Sequence, residues 1–186
     1  MTLKIARAII LLFLAIVIPV SVNANCNKKV HTKQKEYYPI QVIKMADYLE
    51  DKKEVYGLRY KNKADLLDTL NKIWVNTKDE DCFTYKKIVS MAILESKLSR
   101  TSLNETDKGK GLLMAMPKYW RKELPWYNNP YNKNQSIKAS ISILKILKKR
   151  HKCSTWTAIR YYNSTSYRSK VYLKKVQRIY LSLNYE

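Results

Sequence analysis

A chain of 186 residues can bury one ordinary core and leaves little room for two domains. Its 36 lysines and arginines against 15 acids give a formal net charge of +21, which attracts any polyanion and so cannot choose among nucleic acid, anionic lipid and acidic envelope polymers. The cations are scattered as on a solvated surface, so no specific nucleic-acid partner is expected. Only three glycines and five prolines punctuate runs of Leu, Ile, Ala, Lys and Glu at helical spacing, which predicts an all-α fold.

In chain order, Lys4 and Arg7 precede an apolar run from Ala8 to Val20 and then Val22-Asn23-Ala24, the anatomy of a cleavable secretory signal cut after Ala24. An uncleaved membrane anchor is the alternative, but the run is shorter than the roughly 20 residues a spanning helix needs. Residues 1–24 therefore read as a signal peptide, 25–80 as an amino-terminal helical extension or part of the main lobe, and 81–186 as the main domain. The mature chain is expected in the periplasm or outside the cell, touching the envelope peripherally with no transmembrane segment. Cys26, Cys82 and Cys153 thus enter a compartment that permits disulfides. Cys82 lies just before a predicted helix and Cys153 in a turn between two others, so these two are the pair expected to staple distant segments, although sequence leaves the connectivity open. His31 and His151 are far apart in the chain and give a metal site little support.

Helices are predicted near residues 39–56, 63–77, 84–97, 134–151, 154–163 and 167–183, with loop-rich chain over 98–133 interrupted by one short helix after Pro117. Placed at about 100° per residue, Ile137, Ala139, Ile141, Ile143, Leu144, Ile146 and Leu147 cover well over half of the 134–151 helix, leaving Lys138, Ser142, Lys145 and Lys149 on a narrow strip. Such a helix belongs at the centre of a core. The same construction over 85–96 puts Glu95 on the face of Ile88, Met91 and Ala92. A carboxyl aimed at an apolar face finds a partner or keeps its proton, and a rise from about 4.3 to around 6 would make it a useful general acid. Alternatively Glu95 belongs to a fraying last turn and swings into solvent, and periodicity does not decide between the two.

From Glu95 onward the sequence resembles the soluble lytic transglycosylase domain, a relative of goose-type lysozyme. Four blocks carry the resemblance in order across roughly residues 83–180: Ile93-Leu94-Glu95-Ser96; Gly109-Lys110-Gly111-Leu112-Leu113-Met114-Ala115-Met116-Pro117; Asn134-Gln135-Ser136-Ile137-Lys138-Ala139; and Ala158-Ile159-Arg160-Tyr161-Tyr162-Asn163. The resemblance implies a lysozyme-like fold with a buried central helix, 81–186 as its catalytic domain, Glu95 as catalytic acid and base, and Tyr162 hydrogen-bonded to it. It further implies that Gly111, Leu112, Leu113, Met114 and Met116 line a sugar groove with Asn163, and that Ser96 contacts substrate or supports the glutamate. Read without the resemblance, Tyr162 is a core tyrosine with a satisfied hydroxyl and Ser96 a plain helix cap. Two positions depart from the family pattern. Met114 stands where it usually has glutamine, and Ser164-Thr165-Ser166 where glycine commonly follows Tyr-Asn; a lost amide hydrogen bond is worth about 1 kcal/mol net.

The implied reaction uses one carboxyl, no metal and no organic cofactor, on peptidoglycan glycan strands, by a monomer. Envelope-spanning secretion or conjugation machinery is a second class of partner. Glu105 and Asp107, the nearest acids after Glu95, read as solvated loop charges. Tyr119, Trp120, Trp126 and Tyr127 either meet sugar faces or pack the loop onto the core. Three other functions stay open: a goose-lysozyme-like hydrolase on the same fold, a non-catalytic envelope scaffold with a degenerate groove, and, on charge alone, a cationic nucleic-acid or membrane binder.

Overall fold

Among the described residues of the computed structural model, the regular structure is eight helices, α1 (Ile40–Asp51), α2 (Lys53–Tyr56), α3 (Lys63–Thr77), α4 (Tyr85–Ser96), α5 (Pro117–Trp120), α6 (Lys133–Arg150), α7 (Thr155–Asn163) and α8 (Arg168–Ser182). The structure describes residues 37–103, 109–164, 166 and 168–185. The signal segment, Cys26, His31, Glu105, Asp107 and Thr165 lie outside the described residues. Among the described residues there is no strand, only an isolated bridge between Leu103 and Lys110, and no helix is long and apolar enough to cross a membrane.

The predicted 39–56 helix is two helices. Lys52 leaves helical geometry at ψ 14°, and Gly57, in the left-handed region at φ 58°, ends the second. Other ends follow local chemistry. The side chains of Asn62, Asn132 and Ser154 accept from the backbone N–H three residues on, capping α3, α6 and α7.

Contacts between elements close a ring in which α3 packs on α4, α4 on α8, α8 on α7, α7 on α6 and α6 on α3, with α1 laid against α3. Both α4 and α6 are enclosed. In α6 the predicted strip holds for Lys138, Lys145 and Lys149, which are exposed, and for Ile137, Ala139, Ile141, Ile143, Leu144 and Leu147, which are buried, while Ser142 and Ile146 are half-buried. The helix buried over more of its length is α4, with eight of twelve residues buried including Ile88, Val89, Met91 and Ile93. Each of these four side chains contributes about 1.5–3 kcal/mol by leaving water.

One cation departs from the reading of a solvated charge surface. Lys133, 7 % exposed at the start of α6, reaches Asp65 Oδ1 at 2.7 Å, Asp68 Oδ2 at 2.8 Å and the Asp65 carbonyl at 3.2 Å, and so ties α6 to α3. Burial works against the Asp65 charge, but the Lys133 hydrogen bond and the Lys61 backbone N–H outweigh it and hold its carboxyl below the usual aspartate value. Lys133→Met should leave the partly buried Asp65 carboxylate without its ammonium partner, while Asp68 keeps Lys72, and cost about 2–3 kcal/mol. Lys72→Met, which breaks an exposed ion pair with the same Asp68, should cost under about 1 kcal/mol. Urea midpoints compare the two, and equal losses would remove the Lys133 cluster as a structural tie.

Candidate active site

The enclosure of α4 runs out at its last turn. Lys97 and Leu98 both adopt left-handed backbone, at φ 57° and 63°. The Leu98 N–H bonds back to the Ala92 carbonyl at 3.3 Å, and its side chain is buried, as in a Schellman cap made without glycine. The chain therefore turns away sharply after Ser96. Glu95, half-buried, is left on the wall of a cleft of about 200 Å³ that it shares with Gly109, Met114, Ala115, Met116, Tyr119, Trp120, Ile143, Tyr162 and Asn163. Ile88, Met91 and Ala92, its neighbours on the same face one and two turns earlier, are fully buried. Among the described residues, Glu95 is the one acid lining this cleft.

The floor comes from the segment after Gly109. Gly111 sits at φ 78° with its α-carbon against the next loop, where a Cβ would fall 1.9 Å from the Pro130 carbonyl oxygen; no side chain fits. Leu112 and Leu113 then enter the core, and the Leu113 N–H bonds to Ser136 Oγ at 3.3 Å. Met114 is left-handed at φ 54°, which for a residue with a Cβ costs roughly 1–2 kcal/mol. That turn brings Met114 and Met116 to the cleft. Below them Tyr127 is buried with its hydroxyl donating to the Ala115 carbonyl at 2.9 Å, and burial pushes its pKa up to about 12.

The groove-lining expectations thus divide. Met114, Met116 and Asn163 reach the cleft, while Gly111, Leu112 and Leu113 build its support from behind. Ser96 is buried and its hydroxyl donates to the Ala92 carbonyl at 3.1 Å, so it closes its own helix and does not face the cleft. Of the four aromatic rings, Tyr119 (67 % exposed) and Trp120 line the cleft; Trp126 and Tyr127 do not.

Tyr162 stands at the cleft beside Glu95. Its hydroxyl donates to the Leu113 carbonyl at 2.8 Å and pairs with Ser140 Oγ at 2.8 Å, which commits its one proton to the floor. Burial and the nearby Glu95 charge keep that phenol well above its ordinary pKa of 10. A second phenol, absent from the sequence reading, joins it from α8. The Tyr172 hydroxyl is buried with no hydrogen bond of ordinary geometry. Burial, the Glu95 charge and a contact to that carboxyl short of ideal geometry hold it well above 10 as well. Ser169, Tyr172 and Val176 are the buried residues of α8, on one face at i, i+3 and i+7. A hydroxyl-bearing ring in that stripe was the signal available in the sequence.

No family model, curated protein or solved structure matches this chain. The site stands on its own geometry.

Cys82 and Cys153, the pair expected to staple distant segments, both carry free thiols. Cys82 Sγ is turned to the Lys148 ammonium at 2.8 Å, and Cys153 Sγ lies 3.9 Å from the Leu147 carbonyl. Among the described residues, no three His, Cys, Asp or Glu side chains are grouped to hold a metal ion.

The two site phenols give a pH dependence with a definite sign. Their folded pKa values are raised, so the unfolded chain loses these protons first as pH climbs past about 10. The stability they contribute is fully present below pH 10 and is lost as pH rises through the folded values. Tyr172→Phe should therefore lose less stability than the parent between pH 8 and pH 11, by about 1 kcal/mol or more, measured as urea midpoints. An identical alkaline loss in both proteins would place Tyr172 in contact with water.

Proposed function

We propose that this protein is a peptidoglycan lytic transglycosylase with a lysozyme-like helical fold, in which Glu95 acts first as general acid and then as general base. The observation that carries the reading is the half-buried Glu95 carboxyl on a cleft wall, at the end of an enclosed helix, with the neutral phenols of Tyr162 and Tyr172 close enough for its charge to act on them. The order of the four sequence blocks supports it, because α4, the 109–117 segment, α6 and α7 all supply residues to the same cleft.

In this reading a glycan strand lies along the cleft with sugar faces toward Tyr119 and Trp120. Protonated Glu95 gives its proton to the glycosidic oxygen between N-acetylmuramic acid and N-acetylglucosamine, and the substrate's own acetamido group stabilises the cationic carbon. Ionised Glu95 then takes the proton of the C6 hydroxyl, whose oxygen closes a 1,6-anhydro ring. The tethered hydroxyl replaces water through its high effective concentration, so one carboxyl serves both steps where most glycosidases need two. Tyr172 supports the charged form between the steps, being a buried phenol beside Glu95 without a hydrogen bond of ordinary geometry. Arg168 and Lys175 line the neighbouring cavity that shares Asn163, and their charge suits an anionic wall polymer.

Glu95→Gln keeps the shape of the side chain and should abolish muropeptide release from purified sacculi, a loss of about a thousandfold or more, with an unchanged urea midpoint. Mass spectra of the parent digest should show anhydro ends. Reducing ends would instead assign a goose-lysozyme-like hydrolase, and equal release by both proteins would remove Glu95 from the chemistry and favour a non-catalytic envelope scaffold.

A further inference from the structure

Away from the cleft, a larger open cavity of about 580 Å³ lies between the segment that leads into α4 and the turn that joins α6 to α7. Both described cysteines line it, Cys82 from the first segment and Cys153 from the second. Each thiol is only partly covered. The Lys148 ammonium donates to Cys82 Sγ at 2.8 Å, and the Lys87 ammonium donates to the Cys82 carbonyl at 2.9 Å. One cation thus sits on the sulfur and a second on the carbonyl of the same residue, while Asp81 opposes them and Asp79 and Glu80 line the same cavity. Cys153 has no such partner; its sulfur faces only a backbone carbonyl at 3.9 Å.

That asymmetry is the arrangement thiol–disulfide exchange requires. The thiolate is the nucleophile, so a sulfur held beside a cation in an accessible cavity attacks first, and a second thiol in the same cavity resolves the product. We propose that Cys82 and Cys153 form a thiol–disulfide exchange site for small disulfides, with Cys82 as the attacking sulfur, Lys148 as its charge partner and Cys153 as the resolving thiol. The Lys148 hydrogen bond, followed by that of the Thr155 hydroxyl, lowers the Cys82 pKa below that of an ordinary thiol, which agrees with the geometry.

The electron count is simple. The Cys82 thiolate attacks one sulfur of R–S–S–R, a Cys82–S–R bond forms, the original S–S bond breaks, and RS⁻ leaves and takes a proton from water. Cys153 then gives its proton to solvent and attacks Cys82 Sγ; the Cys82–Cys153 bond forms and the second RS⁻ leaves. Two electrons pass from the cysteine pair to the small disulfide, which ends as two thiols.

The test uses the full chain carrying Cys26→Ser, so that the third thiol does not compete, with glutathione disulfide as the probe and mass spectrometry of acid-quenched samples as the readout. An internal disulfide mapped to Cys82 and Cys153 is expected. Adding Cys153→Ser should stop the reaction at one glutathione bound to Cys82, and Cys82→Ser should yield neither species at a comparable rate. Lys148→Met should slow alkylation of Cys82 by iodoacetamide at pH 7 about tenfold, with Lys148→Arg restoring most of the rate and circular dichroism verifying the fold of each variant. Equal alkylation rates for Cys82 and Cys153, unaffected by Lys148→Met, would overturn the proposal, as would a Cys153→Ser protein that gains no glutathione.

Discussion

The structure depends on keeping α4 out of water along nearly its whole length while leaving Glu95, in its final turn, half-buried at a cleft. Eight buried residues in a twelve-residue helix hold it between α3 and α8. A helix so enclosed has little freedom to rotate or slide, because interiors are close-packed and each misplaced methylene is felt. Whatever side chain stands at its last turn is therefore aimed with the precision of the core. Here that side chain is a carboxylic acid, at the carbonyl end of a helix, where the helix field opposes negative charge. The backbone strain that follows serves the same end. Consecutive left-handed residues at Lys97 and Leu98 remove the chain from above Glu95 and open the cleft.

Much of this arrangement was legible in the sequence, since helical periodicity reports burial and burial is what fixes α4 and α6. The face shared by Ile88, Met91, Ala92 and Glu95 faces inward as the spacing required. Periodicity could not decide whether Glu95 frays into solvent; that depended on where the helix stops, and Lys97 and Leu98 are not residues that announce a left-handed turn. The resemblance grouped Gly111 to Met116 as one groove-lining block. Side chains in an irregular segment leave it in different directions, so that Leu113 supports the cleft from beneath while Met114 faces into it. The bonding of Tyr162 was hidden for a related reason. The proton of Tyr162 is claimed by a carbonyl 49 positions earlier in the chain, a pairing that local spacing does not encode.

Charge was the least legible property. Thirty-six cations look alike in a sequence, yet Lys133 is buried between two aspartates and Lys148 faces a thiol, while Lys138 and Lys149 are exposed to solvent. A lysine is placed by what its neighbours leave unpaired, and those neighbours come from α3 and from the segment before α4, far away in the chain. The cysteine pair makes the same point in reverse. Position in the chain suggested a disulfide between Cys82 and Cys153; the structure shows two free thiols lining one cavity, and the setting of Cys82 follows from Lys148, which no spacing argument identified.

The cleft and the thiol cavity are linked by architecture. Cys82 precedes α4 and Cys153 precedes α7, so both helices begin at the thiol cavity, and both end at the cleft, one with Glu95 and the other with Tyr162 and Asn163. At 1.5 Å per residue, a helix the length of α4 separates the two places by roughly 18 Å. A covalent bond at the thiol end would fix the starting points of both helices against each other. It would shift the Glu95 carboxyl little, because the packed faces of α4 and α7 already determine where their last turns lie. Its effect would fall on the unfolded chain, by closing a long loop, and so on the persistence of the fold more than on the chemistry at Glu95. The two sites can therefore be perturbed one at a time, which makes the assignment of each independent of the other.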